Sequence, residues 1–330
     1  MRRTWDEPVL YHAVSSYQLL EVMLHRLLVH PGRRAALVLP DFIQEKYPQW
    51  KALESQGFFH WVRLFPYLTI PHRGKDQVAA DALAAYDTLG LPPLEDFAAL
   101  YIAGAHFYFS LCPLERGLPF SLLEDAAGTL CSPQRQAAIL ARKFPRHAAL
   151  AQELGLFSGE NPLVREQICC VKAQENPAAL SEKARDFSVE KALQDISPWQ
   201  RRKVVRFFLP GKIRTQADTI LLTQQFSGLG LLTEAQQLAL YRQLVEGLFR
   251  ERSLLVKKHP DDRLSYEEVF PGAQVVERPF PAELLPYVFA GRRPQRVAAF
   301  GSSSLANLGE HFQTMGLPLP AVKQEGPLPP

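Results

Sequence analysis

Short apolar runs separated by helical patterns constrain this chain more than any other feature. PVLYHAV (8–14) reads as a buried strand, and SYQLLEVMLHRLLVH (16–30) repeats apolar residues at i, i+3, i+4 and i+7, the period of a helix. RAALVLPDF (34–42) predicts a second strand, a helix follows to Gln56-Gly57, and FFHWVRLFPYL (58–68) is a third apolar run. DQVAADALAAYDTLG (76–90) is helical, while DFAALYIAGAHF (96–107) and PFSLLED (119–125) predict two more strands. Strands that alternate with helices predict a parallel sheet covered on both faces.

Residues 132–216 break that rhythm. They are more charged, include NPAALSEKARDFSVEKALQDIS (176–197), and read as a helical connection between 1–131 and a second α/β unit over 217–316. In that unit DTILLTQQF (218–226), SLLVKKH (253–259), AQVVERP (273–279) and RVAAFGSS (296–303) predict strands. TEAQQLALYRQLVEGLFRE (233–251) predicts a helix with Thr233 as N-cap. The proline-rich tail, 317–330, is expected to be flexible.

Composition narrows the class. The 330 residues are 47% hydrophobic and 22% charged, enough apolar surface for a real core in each of two domains. A net charge of +3 gives no global field for nucleic acid, so none is expected as a partner. The local runs QRRKVVR (200–206) and GRRPQR (291–296) read first as solvated faces. Cys112, Cys131 and the adjacent Cys169 and Cys170 form neither a disulfide framework nor a zinc pattern. The N-terminus fails as a signal peptide and no stretch reaches the length of a membrane span, so a cytoplasmic setting is expected.

In open α/β sheets ligands lie beyond the carboxyl ends of the strands. After PFSLL comes Glu124-Asp125-Ala126-Ala127-Gly128, an acidic pair able to supply a general base or to cap a turn. After SLLVK comes His259-Pro260, where proline holds the preceding backbone extended. This histidine can donate to a phosphate or protonate a leaving group. Asp261 and Asp262 can bind magnesium, cap Arg263 or face solvent. After VAAF, Gly301 precedes Ser302-Ser303-Ser304, an anion site at a helix start or a simple cap. Ser15, Ser16, Tyr17 and Gln18 after the first strand, and Thr223 and Gln224 after TILL, are candidates for lining a cleft between the domains.

The ordered set Glu124-Asp125, His259-Pro260 and Ser302-Ser303-Ser304, with SSYQLLEVML (15–24) near the start, ILLTQQF (220–226) and FPAELL (280–285), resembles the bacterial sialyltransferases and polysialyltransferases, especially glycosyltransferase family 52. The resemblance spans nearly the whole chain. It implies a GT-B-type fold of two Rossmann-like parallel-sheet domains facing a cleft, and metal-independent, inverting transfer from CMP-sialic acid to a cell-surface glycan such as a lipooligosaccharide. No cofactor or metal is implied. Glu124 would deprotonate the acceptor hydroxyl, with Asp125 the alternative base. His259 and Pro260 would meet the departing CMP phosphate with Ser302, Ser303 and Ser304. A homodimer is a further implication of the resemblance, and the basic helix SPWQRRKVVRFF (197–208) reads as an ordinary interdomain helix or as a peripheral contact with the inner face of the membrane. UDP-hexose, CMP-Kdo or CDP-polyol phosphate donors, and a non-catalytic glycan-binding homologue, are the alternatives. The sequence departs from the family at Ala126, where glycine is usual. A positive φ there would strain alanine unless Gly128 takes over that turn.

Overall fold

The computed structural model describes residues 7–71, 75–104, 108–127, 133–143 and 145–318. Two compact units divide the chain, Met1–Phe208 and Leu209–Pro330. The first runs β1 (Val9–His12), α1 (Ser16–Val29), β2 (Ala35–Pro40), α2 (Ile43–Lys46), α3 (Ala52–Ser55), β3 (Trp61–Phe65), α4 (Lys75–Asp87), β4 (Ala99–Ala103), α5 (Leu111–Glu115) and β5 (Phe120–Leu123). It continues with α6 (Pro133–Lys143), α7 (Pro145–Glu153), β6 (Val164–Cys169), β7 (Ala184–Asp186), α8 (Val189–Asp195) and α9 (Pro198–Phe208). The second holds β8 (Thr219–Leu222), α10 (Glu234–Glu246), β9 (Leu254–Lys257), β10 (Gln274–Val276), α11 (Leu285–Val288), β11 (Arg296–Phe300), α12 (Ser304–Leu308) and β12 (Gln313–Leu317).

Both sheets are parallel, in the orders β3-β2-β1-β4-β5-β6-β7 and β10-β9-β8-β11-β12. The central strands are largely apolar because helices cover both faces, and β1, β2, β5, β8 and β9 are buried at every residue. Leu10, Val38, Phe65, Ile102 and Phe120 anchor one core, and Leu221, Tyr241, Val256, Phe270 and Phe300 the other. Strand order reverses between β1 and β4 in the first sheet and between β8 and β11 in the second. These are the switch points where doubly wound folds open a crevice. The pair of Rossmann-like sheets expected of a GT-B-type chain is thus what forms.

The segment expected to be a helical connection, 132–216, is corrected. It carries β6 and β7, which extend the first sheet, and the division between units falls after Phe208 rather than at 131. β6 hid because VREQIC mixes exposed Arg165 with buried Val164 and Ile168. β7 is a three-residue edge strand of exposed or half-buried residues, and β12 is exposed at four of its five. α9 belongs to the first unit because its apolar face packs there. Phe207 and Phe208 meet the Tyr47 ring, Phe207 meets Phe58, and Gln49 donates to the Phe207 carbonyl. Burying each phenylalanine contributes on the order of 2–3 kcal/mol. Of the expected proline-rich tail, 319–330 lies outside the described residues, as do Gly128 and Cys131.

Candidate active site

The first sheet's site begins with the turn from β1 into α1. Ser15 caps the helix, its Oγ accepting from the Gln18 amide at 3.1 Å, and Gln18 Oε1 accepts from the Ser15 and Val14 amides, each at 3.1 Å. This capping box fixes Gln18 so that its Nε2 reaches the end of β5. There it donates to the Glu124 carbonyl at 3.2 Å and to Asp125 Oδ1 at 3.5 Å. Tyr17 Oη donates to Glu124 Oε1 at 3.2 Å, and Tyr47 Oη donates to Ser16 Oγ at 2.7 Å. The fold therefore joins Tyr17 and Gln18 to the acidic pair more than a hundred residues away. It does so as a buried frame: Ser16, Tyr17 and Gln18 are buried, and only Ser15 of the four expected cleft residues is half-exposed.

The two acids occupy different worlds. Glu124 is 0% exposed, and its carboxylate also accepts from the Cys170 amide at 2.9 Å and from Gln174 Nε2 at 3.1 Å. Asp125, one residue on, is half-exposed. A carboxylate enclosed by three donors positions a loop, whereas its neighbour can meet a substrate. Ala126 has negative φ, since among the described residues only glycines are left-handed, so alanine strains nothing there.

Sequence reasoning missed three members of this site. Cys170 and Gln174 follow β6, the strand read as helix. Glu21 lies on α1, three and four residues beyond Gln18 and Tyr17, and is fully buried with neither carboxylate oxygen bonded among the described residues. Burial, then the charges of Glu124 and Asp125, push its pKa well above the usual carboxylate range.

The second sheet's site is built around Thr223, at the end of β8. Its Oγ1 accepts from the His259 amide at 3.0 Å and donates to Asp262 Oδ2 at 2.8 Å. Asp262 is buried, and also accepts from Tyr266 Oη at 2.6 Å and from the Leu264 amide at 3.2 Å. The Asp261 amide donates to His259 Nδ1 at 3.1 Å. Nδ1 is thus an acceptor, and the neutral ring carries its proton on Nε2. The His259 side chain is 31% exposed, beside half-exposed Pro260. Across the switch point Gln224 Nε2 donates to the Phe300 carbonyl at 3.1 Å, tying the ends of β8 and β11. Gly301 (φ 44°) then turns the chain into half-buried Ser302, Ser303 and Ser304. Because α12 has only five residues, hydroxyls and amides would carry any anion contact there, more than a helix field.

Sequence reasoning also passed over Lys257 and Glu283 beneath this loop. Lys257 is buried with its ammonium 4.6 Å from the Phe280 ring, and desolvation lowers its pKa to about 8 against the opposing pull of Glu283. Asn307 Nδ2 donates to Glu283 Oε1 at 3.4 Å. In the sequence Lys257 lies within SLLVKKH, which reads only as a strand, and Glu283 within FPAELL, which carries no role.

No known family profile matches the chain. A stretch of 66 residues is 32% identical to an uncharacterized protein of Haemophilus influenzae (strain KW20 Rd), covering 20% of this chain and 21% of that protein. The matched stretch thus spans about a fifth of that relative's length. Solved structures resemble the whole fold. The glycotransferase of kitacinnamycin aligns over 95% of this chain and 81% of its own with a TM-score of 0.54 and 14% identity. UDP-GlcNAc 2-epimerase from Neisseria meningitidis, bound to UDP-GlcNAc, aligns over 90% and 79% with a TM-score of 0.50 and 15% identity. Medicago truncatula UGT71G1, complexed with UDP-glucose, aligns over 95% and 80% with a TM-score of 0.55 and 10% identity. At such identities the likeness establishes the fold, and within that fold sit both a glycosyltransferase and an epimerase.

Proposed function

We propose that the chain is an inverting glycosyltransferase that moves a sugar from a nucleotide-sugar donor to a hydroxyl of a glycan acceptor, without a metal ion. The observation that carries this reading is His259, its Nδ1 held by the Asp261 amide and its proton on Nε2, at the end of β9 and in the same sheet-end row as the serines after β11. Departure of a nucleotide builds negative charge on phosphate while the sugar becomes oxocarbenium-like. Donors already fixed at the phosphate stabilise that transition state more than the ground state. His259 Nε2–H and the hydroxyls of Ser302, Ser303 and Ser304 supply such donors. Asp125 takes the acceptor proton as attack proceeds, and Glu124, buried in its cage of donors, positions it.

A UDP-hexose is the favoured donor, because two of the similar structures hold UDP-GlcNAc and UDP-glucose. CMP-sialic acid is the second reading, favoured by the His-Pro and serine motifs of the family 52 resemblance. Purified protein would be offered UDP-glucose, UDP-GlcNAc and CMP-sialic acid with glycan acceptors, with and without EDTA, following nucleotide release. EDTA-insensitive release of UDP or CMP, lost in His259→Ala and Asp125→Asn, supports the proposal and chooses the donor. Conversion of UDP-GlcNAc to its C2 epimer without an acceptor would replace transfer by epimerisation. Glycan binding with no nucleotide turnover would sink both.

A further inference from the structure

α9 presents two faces of opposite character. Val204, Val205, Phe207 and Phe208 are buried against the first unit. On the other side Trp199, Arg202, Lys203 and Arg206 stand at i, i+3, i+4 and i+7, one stripe along the helix. Trp199 is 62% exposed, unusual for the largest apolar side chain. The Lys203 ammonium lies 5.2 Å from its ring and 4.6 Å from that of Phe58. α9 contains no acid, and Arg202 and Arg206 form no ion pair among the described residues. The nearby Asp195 is already taken by Lys191 at 2.6 Å. The turn with Trp50 and Lys51, a second tryptophan–lysine pair at 5.5 Å, is tied to the end of α9 through Gln49.

We infer that this stripe docks the protein on an anionic lipid surface. The Lys203 ammonium also donates to the Gln56 carbonyl, so Arg202 and Arg206 are the cations that select a negative partner, and a lipid headgroup layer is the one that also accommodates an exposed indole, whose apolar body and N–H suit the interface. The apolar face of α9 is already used inside the unit, so the helix rests on the headgroups without inserting. No helix among the described residues is long and apolar enough to cross a membrane. Each cation near an anionic surface strengthens binding on the order of fivefold. The stripe shares no residue with either strand-end site, so docking stands or falls separately from glycosyl transfer.

The test is flotation of the full chain with vesicles of phosphatidylglycerol and phosphatidylcholine, against phosphatidylcholine alone. Binding to the anionic vesicles only, weakened by salt, is expected. R202Q/R206Q should lower the partition on the order of 25-fold, two cations at about fivefold each, and W199A several-fold. R292Q/R293Q, in the other basic run, should leave it unchanged, and circular dichroism should show all variants folded. Equal binding to neutral vesicles, no binding to either, or binding unaffected by R202Q/R206Q would overturn the inference. Equally strong capture by soluble polyglutamate would reassign the stripe to an acidic protein and overturn the lipid reading.

Discussion

The two strand-end sites solve one problem in opposite proportions. In each, a buried carboxylate gathers donors from distant elements and holds a neighbour in place: Glu124 beside Asp125 in the first sheet, Asp262 beside His259 in the second. In the first sheet the frame takes almost everything. Tyr17, Gln18, Gln174 and the Cys170 amide are all spent on Glu124 or its backbone, and of the acidic pair only Asp125 reaches the surface. In the second the frame is lean, and His259, Pro260, Ser302, Ser303 and Ser304 all remain half-exposed. Under the proposed function, the first site contributes one proton acceptor and needs little surface, while the second meets a phosphate and needs several donors. The acidic motif therefore marks a framework at Glu124 and leaves one exposed carboxylate at Asp125.

The sharpest way to break this comparison is to exchange the roles of the acids. Asp125→Asn should lower turnover on the order of 10²–10⁴-fold with little loss of stability. If Glu124→Gln lowers it as far while Asp125→Asn does not, the buried acid is the base and the comparison fails. Next in size is stability. Glu124→Ala strands a tyrosine hydroxyl, a backbone amide and a glutamine amide, and should cost about 3 kcal/mol in denaturant unfolding, as should Asp262→Ala in the second unit.

A pH experiment separates the units further. Burial lowers the pKa of His25 in the first unit to about 3, its ring bonded to Tyr11 at 2.8 Å. The unfolded chain binds that proton at its ordinary pKa of 6.5, so stability is full above 6.5 and is lost as pH falls toward 3, about 2 kcal/mol by pH 5. His25→Phe should flatten this acid slope. Lys257 in the second unit acts at the other end: its folded pKa of about 8 lies below the unfolded value of 10.5, so stability rises with pH across that window. Lys257→Met should remove the rise. The smallest effect is at Ala126. With its φ already negative, Ala126→Gly relieves no strain and should destabilise by about 0.4–1 kcal/mol through the unfolded chain.

Much of the fold was legible because parallel sheets covered on both faces demand continuous apolar strands. VLYH, AALVLP, TILL and LLVK declare themselves, and the α10 cap at Thr233 forms its capping box with Gln236 as the sequence pattern predicts. β6, β7 and β12 lie toward sheet edges, where the apolar requirement relaxes and the pattern with it. That is why the pattern does not place the first unit's end at Phe208, nor the partners that Cys170 and Gln174 offer Glu124.

By itself the sequence determined the alternation of strands and helices, the strand ends at which acids, histidine and serines would stand, and the extended backbone before Pro260. Only the tertiary structure decided the depth of each side chain. Adjacent residues at a strand exit point to opposite sides, and which side is interior depends on elements far along the chain. Tyr17 and Cys170 approach Glu124 across 107 and 46 residues, and enclose it while leaving its neighbour outside. Local pattern fixes where a group emerges from a sheet; long-range packing fixes whether it meets water or a wall.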